Sequence, residues 1–253
     1  MTQRWKITVE YDGTDFVGWQ RQNEGFSVQG VLEEAVFKLS GERVTLHVAG
    51  RTDAGVHALG QVAHFDLEKT FDAHAVRNAL NVHARPHQVA VVKAEAADGE
   101  FHARFDAVRR HYRYTICNRW APPVVGGRYM WHVAHPLDIE PMQKAANVLV
   151  GEKYDFSSFR AAECQAKHAI RSIDVLNVTR DGDLVHIDVS ATSFLHHQVR
   201  NIVGTLRKIG DGAWPWEKMQ EILDAKDRSV AGPTAPPTGL FFLRVDYKDS
   251  GSK

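Results

Sequence analysis

Arg109-Arg110-His111-Tyr112-Arg113-Tyr114-Thr115-Ile116-Cys117 alternates, carries its aromatics at Tyr112 and Tyr114, and reads as a β-strand. It decides the fold because it restarts an order of elements already run once. Upstream, Arg4 to Tyr11 is a strand with Trp5, Ile7 and Val9 on one face. Ser27 then caps a helix whose inner face is Val28, Val31, Leu32, Ala35, Val36 and Leu39, and Gly41 closes it. Val44 to Ala49 and Gln61 to Leu67 read as strands. Asp72 caps a second helix with Val76, Ala79 and Leu80 inward, and His87 to Ala94 is a buried strand. The order is β-α-β-β-α-β.

Downstream of Cys117 the order repeats. A loop with Pro122-Pro123 and Gly126-Gly127 leads to Asp138, which caps a helix bearing Met142, Ala145, Ala146 and Leu149; Pro141 is tolerable in its first turn. Ile170 to Thr179 and Leu184 to Ala191 make a hairpin around Asp181-Gly182-Asp183. A helix from about Leu195 to Ile209 turns Val199, Ile202, Val203 and Leu206 inward and ends at Gly210. A further helix lies near Trp216 to Ala225, and Leu240 to Val245 is the closing strand. The expected fold is therefore α+β, two ferredoxin-like halves with antiparallel sheets, cut near Ala107 into residues 1–107 and 108–253. The repetition is one of element order; the sequence itself does not repeat.

Composition limits the function. The chain has 253 residues, 43% hydrophobic and 25% charged, which suits packed cores and excludes wholesale disorder. Cys117 and Cys164 are too few for a disulfide scaffold and fit a reducing cytosol. The N-terminus lacks the apolar core of a signal peptide, and no run of about 18 apolar residues predicts a membrane span. Thirty-one basic residues balance 31 acidic ones. The balance is uneven along the chain: residues 1–107 hold 11 basic and 15 acidic side chains, residues 108–253 hold 20 and 16. Phe101 to His135 has six arginines against the single acid Asp106, a candidate phosphate-binding surface. The tyrosines interleaved there offer stacking to unpaired bases.

The stretch richest in chemistry is Gly50-Arg51-Thr52-Asp53-Ala54-Gly55-Val56-His57-Ala58, between two strands. Gly50 and Gly55 permit a sharp excursion, and Asp53 sits at its tip. Arg51 is placed to hold a nearby carboxylate ionised. An Asp in a Gly-bounded turn also serves as a local hydrogen-bonding device, so both readings stay open on pattern alone. The 14 histidines raise the question of metal, but there is no His-Glu-x-x-His and no clustered Cys/His spacing. His196 and His197, adjacent on a helix, are expected to diverge by about 100° and not share an ion. Metal is not expected. No P-loop and no Gly-x-Ser-x-Gly occurs.

Gly50-Arg51-Thr52-Asp53-Ala54-Gly55-Val56-His57, followed by Gly60-Gln61-Val62, resembles the signature of the TruA-type tRNA pseudouridine synthases. Four further stretches resemble the same family in register: Tyr11-Asp12-Gly13-Thr14 with Gly18-Trp19-Gln20; Arg110-His111-Tyr112-Arg113-Tyr114; Asp155-Phe156-Ser157-Ser158-Phe159-Arg160; and Phe194-Leu195-His196-His197-Gln198-Val199-Arg200-Asn201-Ile202-Val203-Gly204. The resemblance implies a two-lobed α+β fold with a central active-site cleft, a cytoplasmic homodimer, no cofactor, and modification of uridines in the tRNA anticodon stem-loop. It implies that Asp53 is the catalytic carboxylate and that Tyr112 is the active-site tyrosine, stacking on a flipped-out uracil. It places Arg200 at the site, with Arg51 and Arg200 the candidates to keep Asp53 ionised; Arg207 is left as surface. The cleft is the expected meeting place of Asp53, Tyr112 and Arg200. Two other classes fit parts of the pattern. Tandem RRM-type modules would bind RNA without needing Asp53. A nucleoside hydrolase or glycosidase would pair two carboxylates, and the Asp53 motif has no second acid close in sequence.

Overall fold

A computed structural model describes residues 2–248. In chain order its elements are β1 (Gln3–Tyr11), α1 (Val28–Ser40), β2 (His47–Val48), β3 (His57–Leu67), α2 (Ala73–His83), β4 (Val89–Ala97) and β5 (Ala107–Cys117). They continue with β6 (Trp131–His132), α3 (Ile139–Asn147), β7 (Lys153–Asp155), β8 (Ile170–Asp181), β9 (Leu184–Ala191), α4 (Gln198–Gly210), α5 (Lys218–Ala225) and β10 (Leu240–Tyr247). Two compact units result. One comprises the chain up to Arg110 and again from Phe241; the other is His111–Leu240. The outer limits of the halves expected from sequence, Met1 and Lys253, lie outside the described residues.

In the first unit the strand order is β4-β1-β3-β10, with β2 also on β3. β1 lies antiparallel to both β3 and β4, and β2 antiparallel to β3, which is the split βαβ arrangement. β1 forms because its apolar residues recur every second position: Trp5, Ile7 and Val9 are buried. Burying each is worth about 1.5–3 kcal/mol. α1 begins where Ser27 Oγ accepts from the Gly30 N–H at 3.1 Å and ends at Gly41, left-handed with φ 78°. α1 packs on α2, and α2 on β4.

Two expectations need correction in this unit. The strand foreseen at Val44 to Ala49 shrinks to His47–Val48. The buried Glu33 carboxylate takes the Leu46 N–H at 3.0 Å, so that donor is lost to a side chain rather than to a ladder. The closing strand, foreseen in residues 108–253, groups from Phe241 with the first unit. There it runs parallel to β3, with Phe241 opposite His57 and Phe242 opposite Ala58.

His64 on β3 is buried, and its Nδ1 accepts the Ala103 N–H at 3.1 Å. Its ring lies 5.0 Å from that of His47 and 4.7 Å from that of His102. Burial, reinforced by the charges of His102, Arg4 and His47, pushes the His64 imidazole down to about 4. The unfolded chain, with an ordinary histidine near 6.5, binds a proton that the folded unit refuses between those values. Stability therefore falls as pH drops from about 6.5 toward 4. His64→Asn keeps an acceptor for Ala103 and removes that proton from the balance. The pH dependence of the urea midpoint should flatten across this window, with a residual slope from His102, which burial also lowers. An unchanged slope would refute the assignment.

In the second unit the order is β5-β9-β8-β7, with β6 parallel to β5. β8 and β9 form the expected antiparallel hairpin. α3, capped by Asp138 Oδ1 on the Glu140 N–H, packs on α4 and β8. Among the described residues no helix is long and apolar enough to cross a membrane.

Candidate active site

Asp53 is half-buried on the loop between β2 and β3. Nearly every peptide of this loop is tied. The Ala49 N–H donates to Val62 O at 2.8 Å, and the Gln61 amide donates to Gly50 O at 2.7 Å. The Tyr11 and Thr52 hydroxyls are 2.7 Å apart. The Trp19 N–H donates to Thr52 O at 3.0 Å, and the Val56 N–H to Asp53 O at 3.2 Å. The Gly13 N–H donates to His57 Nδ1 at 3.0 Å. A Cβ on Gly13 would lie 2.0 Å from Val56 O, so only glycine lets this segment pass beneath the loop. The stretches Tyr11-Asp12-Gly13-Thr14 and Gly18-Trp19-Gln20 thus gain a physical role: they are struts under the Asp53 loop. Burial pushes the Tyr11 hydroxyl up to about 12, so it keeps its proton, and the bond to Thr52 persists, throughout the neutral range.

Arg51 is exposed on the same loop, two residues before Asp53. Sequence reasoning missed another arginine, Arg110. Its side chain is buried, and its guanidinium donates to Ala49 O at 2.9 Å, Arg104 O at 2.6 Å and Ala107 O at 3.0 Å. The only signal for it was membership of the Arg110–Tyr114 stretch, which assigned it no role.

In the second unit Tyr112 is buried on β5, edge-on to Phe194 with ring centroids 5.2 Å apart. Arg200 is half-buried on α4, and its Nε donates to Ala235 O at 2.8 Å, while the Ala235 N–H donates to Arg200 O at 3.1 Å. The first bond holds the guanidinium through Nε, and the second ties the two main chains together. α4 does not start at Leu195 as the periodicity predicts. Gln198 Oε1 takes the Leu195 N–H at 2.8 Å, and His197 is left-handed with φ 60°, so the helix begins at Gln198. His196 and His197 therefore do not sit on a helix. Their rings lie 4.0 Å apart, which corrects the expected divergence. Asn201 staples the region: its amide donates to Phe159 O at 2.9 Å, and its Oδ1 accepts from Thr234 Oγ1 at 2.7 Å. Arg207 pairs with Asp211 at 3.0 Å.

The basic run from Phe101 to His135 is less available than its count suggests. Arg110 is inside, Arg113 pairs with Asp188 at 2.7 Å, and Arg119 with Asp183 at 3.3 Å. The surface there is correspondingly weaker as a phosphate site.

A family model described as tRNA pseudouridine synthase matches residues 7–106 and 145–248. A tRNA pseudouridine synthase A of Paramagnetospirillum magneticum is 55% identical over 250 residues, covering 99% of this chain and 97% of the relative. Those of Ehrlichia canis and Rhodospirillum rubrum are each 54% identical, over 245 and 244 residues. Both alignments cover 96% of this chain, with 100% of the first relative and 87% of the second. The chain belongs to the tRNA pseudouridine synthase family. It is an isomerase that converts uridine to pseudouridine, and a noncatalytic pair of RRM-type modules finds no support.

Proposed function

We propose that this synthase modifies uridines of the tRNA anticodon stem-loop, with Asp53 as nucleophile, and works as a cytoplasmic homodimer without a cofactor. The observation that carries this reading is the presentation of Asp53, a half-buried carboxylate on a loop pinned from Ala49 to Val56. Such a loop holds a reacting group in place before substrate arrives.

The reaction breaks the glycosidic N1–C1′ bond and forms a C5–C1′ bond. The C5 proton leaves, N1 ends protonated, and the composition is unchanged. No electron is gained or lost, so an oxygen nucleophile and a proton acceptor suffice. Asp53 supplies the covalent step. Tyr112 stacks on the uracil once it has been drawn from the helix, at a cost of a few kcal/mol repaid by backbone contacts. Arg200 and Arg51 bind the RNA backbone. Carbodiimide labelling of tRNA, with and without the protein, tests the reading. New pseudouridines confined to the anticodon stem-loop are expected; modification elsewhere, or release of free uracil, contradicts it.

A chain with 31 charges of each sign needs assembly to gather a large positive surface. With about six phosphates neutralised, tRNA affinity should fall about a thousandfold between 50 and 200 mM salt. Light scattering should give the mass of a dimer. A monomer whose tRNA binding ignores salt would overturn the assembly proposal.

A further inference from the structure

We infer that Arg110 is a positioning residue for the Asp53 loop: its buried guanidinium sets the height of the Ala49–Gly50 peptide from which the loop springs. The inference rests on the catalytic reading of Asp53 given above.

Arg110 is 8% exposed, so its charge is largely out of water. A guanidinium so placed needs its donors met. The acceptors are main-chain carbonyls from three points: Ala107 O at 3.0 Å, Arg104 O at 2.6 Å, and Ala49 O, reached by both Nη2 at 2.9 Å and Nε at 3.3 Å. Two of these only close the turn that leads into β5. Ala49 is different, being far away in sequence and four residues before Asp53. Its N–H is already spent on Val62 O at 2.8 Å, so Ala49 is held through both of its main-chain groups. The following carbonyl, Gly50 O, is held by Gln61 at 2.7 Å. Beyond it come the Thr52 ties to Tyr11 and Trp19. Arg110 is thus the outermost of an ordered series of clamps. A planar fork with fixed donor directions is suited to this task; a lysine has one flexible point donor set and cannot span the three sites.

The chemistry makes the position of Asp53 costly to lose. A displacement of about 1 Å of a reacting group is worth about a hundredfold in rate. Arg110 has no part in bond making, so its loss should slow the chemical step while leaving RNA binding alone.

The test uses the full chain with unmodified tRNA transcript under single-turnover conditions. Arg110→Met keeps the stem length and removes the fork; Arg110→Lys keeps the charge. The expected result is a chemical rate about a hundredfold lower for Arg110→Met, with the tRNA dissociation constant within twofold of the parent. Arg110→Lys should recover part of the rate. If Arg110→Met does not fold, the Arg110→Lys rate decides, and a fall of at least tenfold at unchanged binding is expected. A single-turnover rate within twofold of the parent in the folded variant overturns the inference. So does a loss that appears wholly in tRNA binding. Asp53→Asn is run beside them. Turnover by that variant would sink the catalytic reading itself, whereas an inactive Asp53→Asn beside a fully active Arg110→Met would sink only the role of Arg110.

Discussion

Asp53→Asn is expected to lower pseudouridine formation by about 10⁴-fold or more while leaving folding and tRNA binding nearly unchanged. Asparagine keeps the size of aspartate and its ability to serve a turn. It removes the negative charge and the nucleophilic oxygen, which no amide replaces. The loop does not lean on the Asp53 carboxylate for the ties described above, which use the main chain of Ala49, Gly50, Thr52 and Asp53 and the Thr52 hydroxyl. The loop should therefore survive the swap. Tritium release from C5-labelled tRNA gives the rate, and a binding titration and a melting curve give the controls. Substantial turnover in a preparation free of deamidated and wild-type protein would end the catalytic assignment. A variant that binds tRNA poorly would show instead that the charge of Asp53 serves recognition.

Gly204→Ala should produce the largest loss of stability. Gly204 lies in α4, and a Cβ there would sit 1.6 Å from Pro233 O. Gly232 closes in on the same contact, its own Cβ position lying 2.7 Å from the Gly204 carbonyl. Neither neighbour is a side chain that can swing away, so the backbone must part. Changes that force backbone apart belong to the rare class above about 4 kcal/mol. For a chain of this size that is a fall in Tm on the order of 10 °C. The segment displaced includes Ala235, which is bonded in both directions to Arg200. Any variant that does fold should thus also lose activity. A melting temperature within about 2 °C of the parent would refute the account.

What the sequence disclosed follows the range of the interactions involved. α1 was legible to its ends because Ser27 and Gly41 cap it with local bonds and a local conformation. The alternation of Trp5, Ile7 and Val9 likewise reports burial directly. Failures came where a distant or side-chain partner intervened. Glu33 takes the Leu46 N–H and cuts β2 short, and Gln198 takes the Leu195 N–H and delays α4. Both are apolar stretches whose pattern is unchanged by the event. The parallel pairing of β10 with β3 joins residues far apart in the chain, and Leu240-Phe241-Phe242-Leu243 has no alternation to betray it. At the site, Asp53 could be singled out because glycines flank it. Arg110 could not, since nothing near it in sequence indicates that Ala49 O is its acceptor.

The pairing of Phe241 and Phe242 with His57 and Ala58 also bears on how the protein is made. Synthesis is vectorial, and early segments fold while later ones are still being added. The edge of β3 that carries the Asp53 loop into the sheet stays unpaired on this side until β10 has been made. Exposed strand edges are adhesive. A nascent first unit that has emerged as far as Arg110 but still lacks Phe241 should therefore hold every tie described for the Asp53 loop while leaving the His57–Ala58 edge of β3 open to another strand.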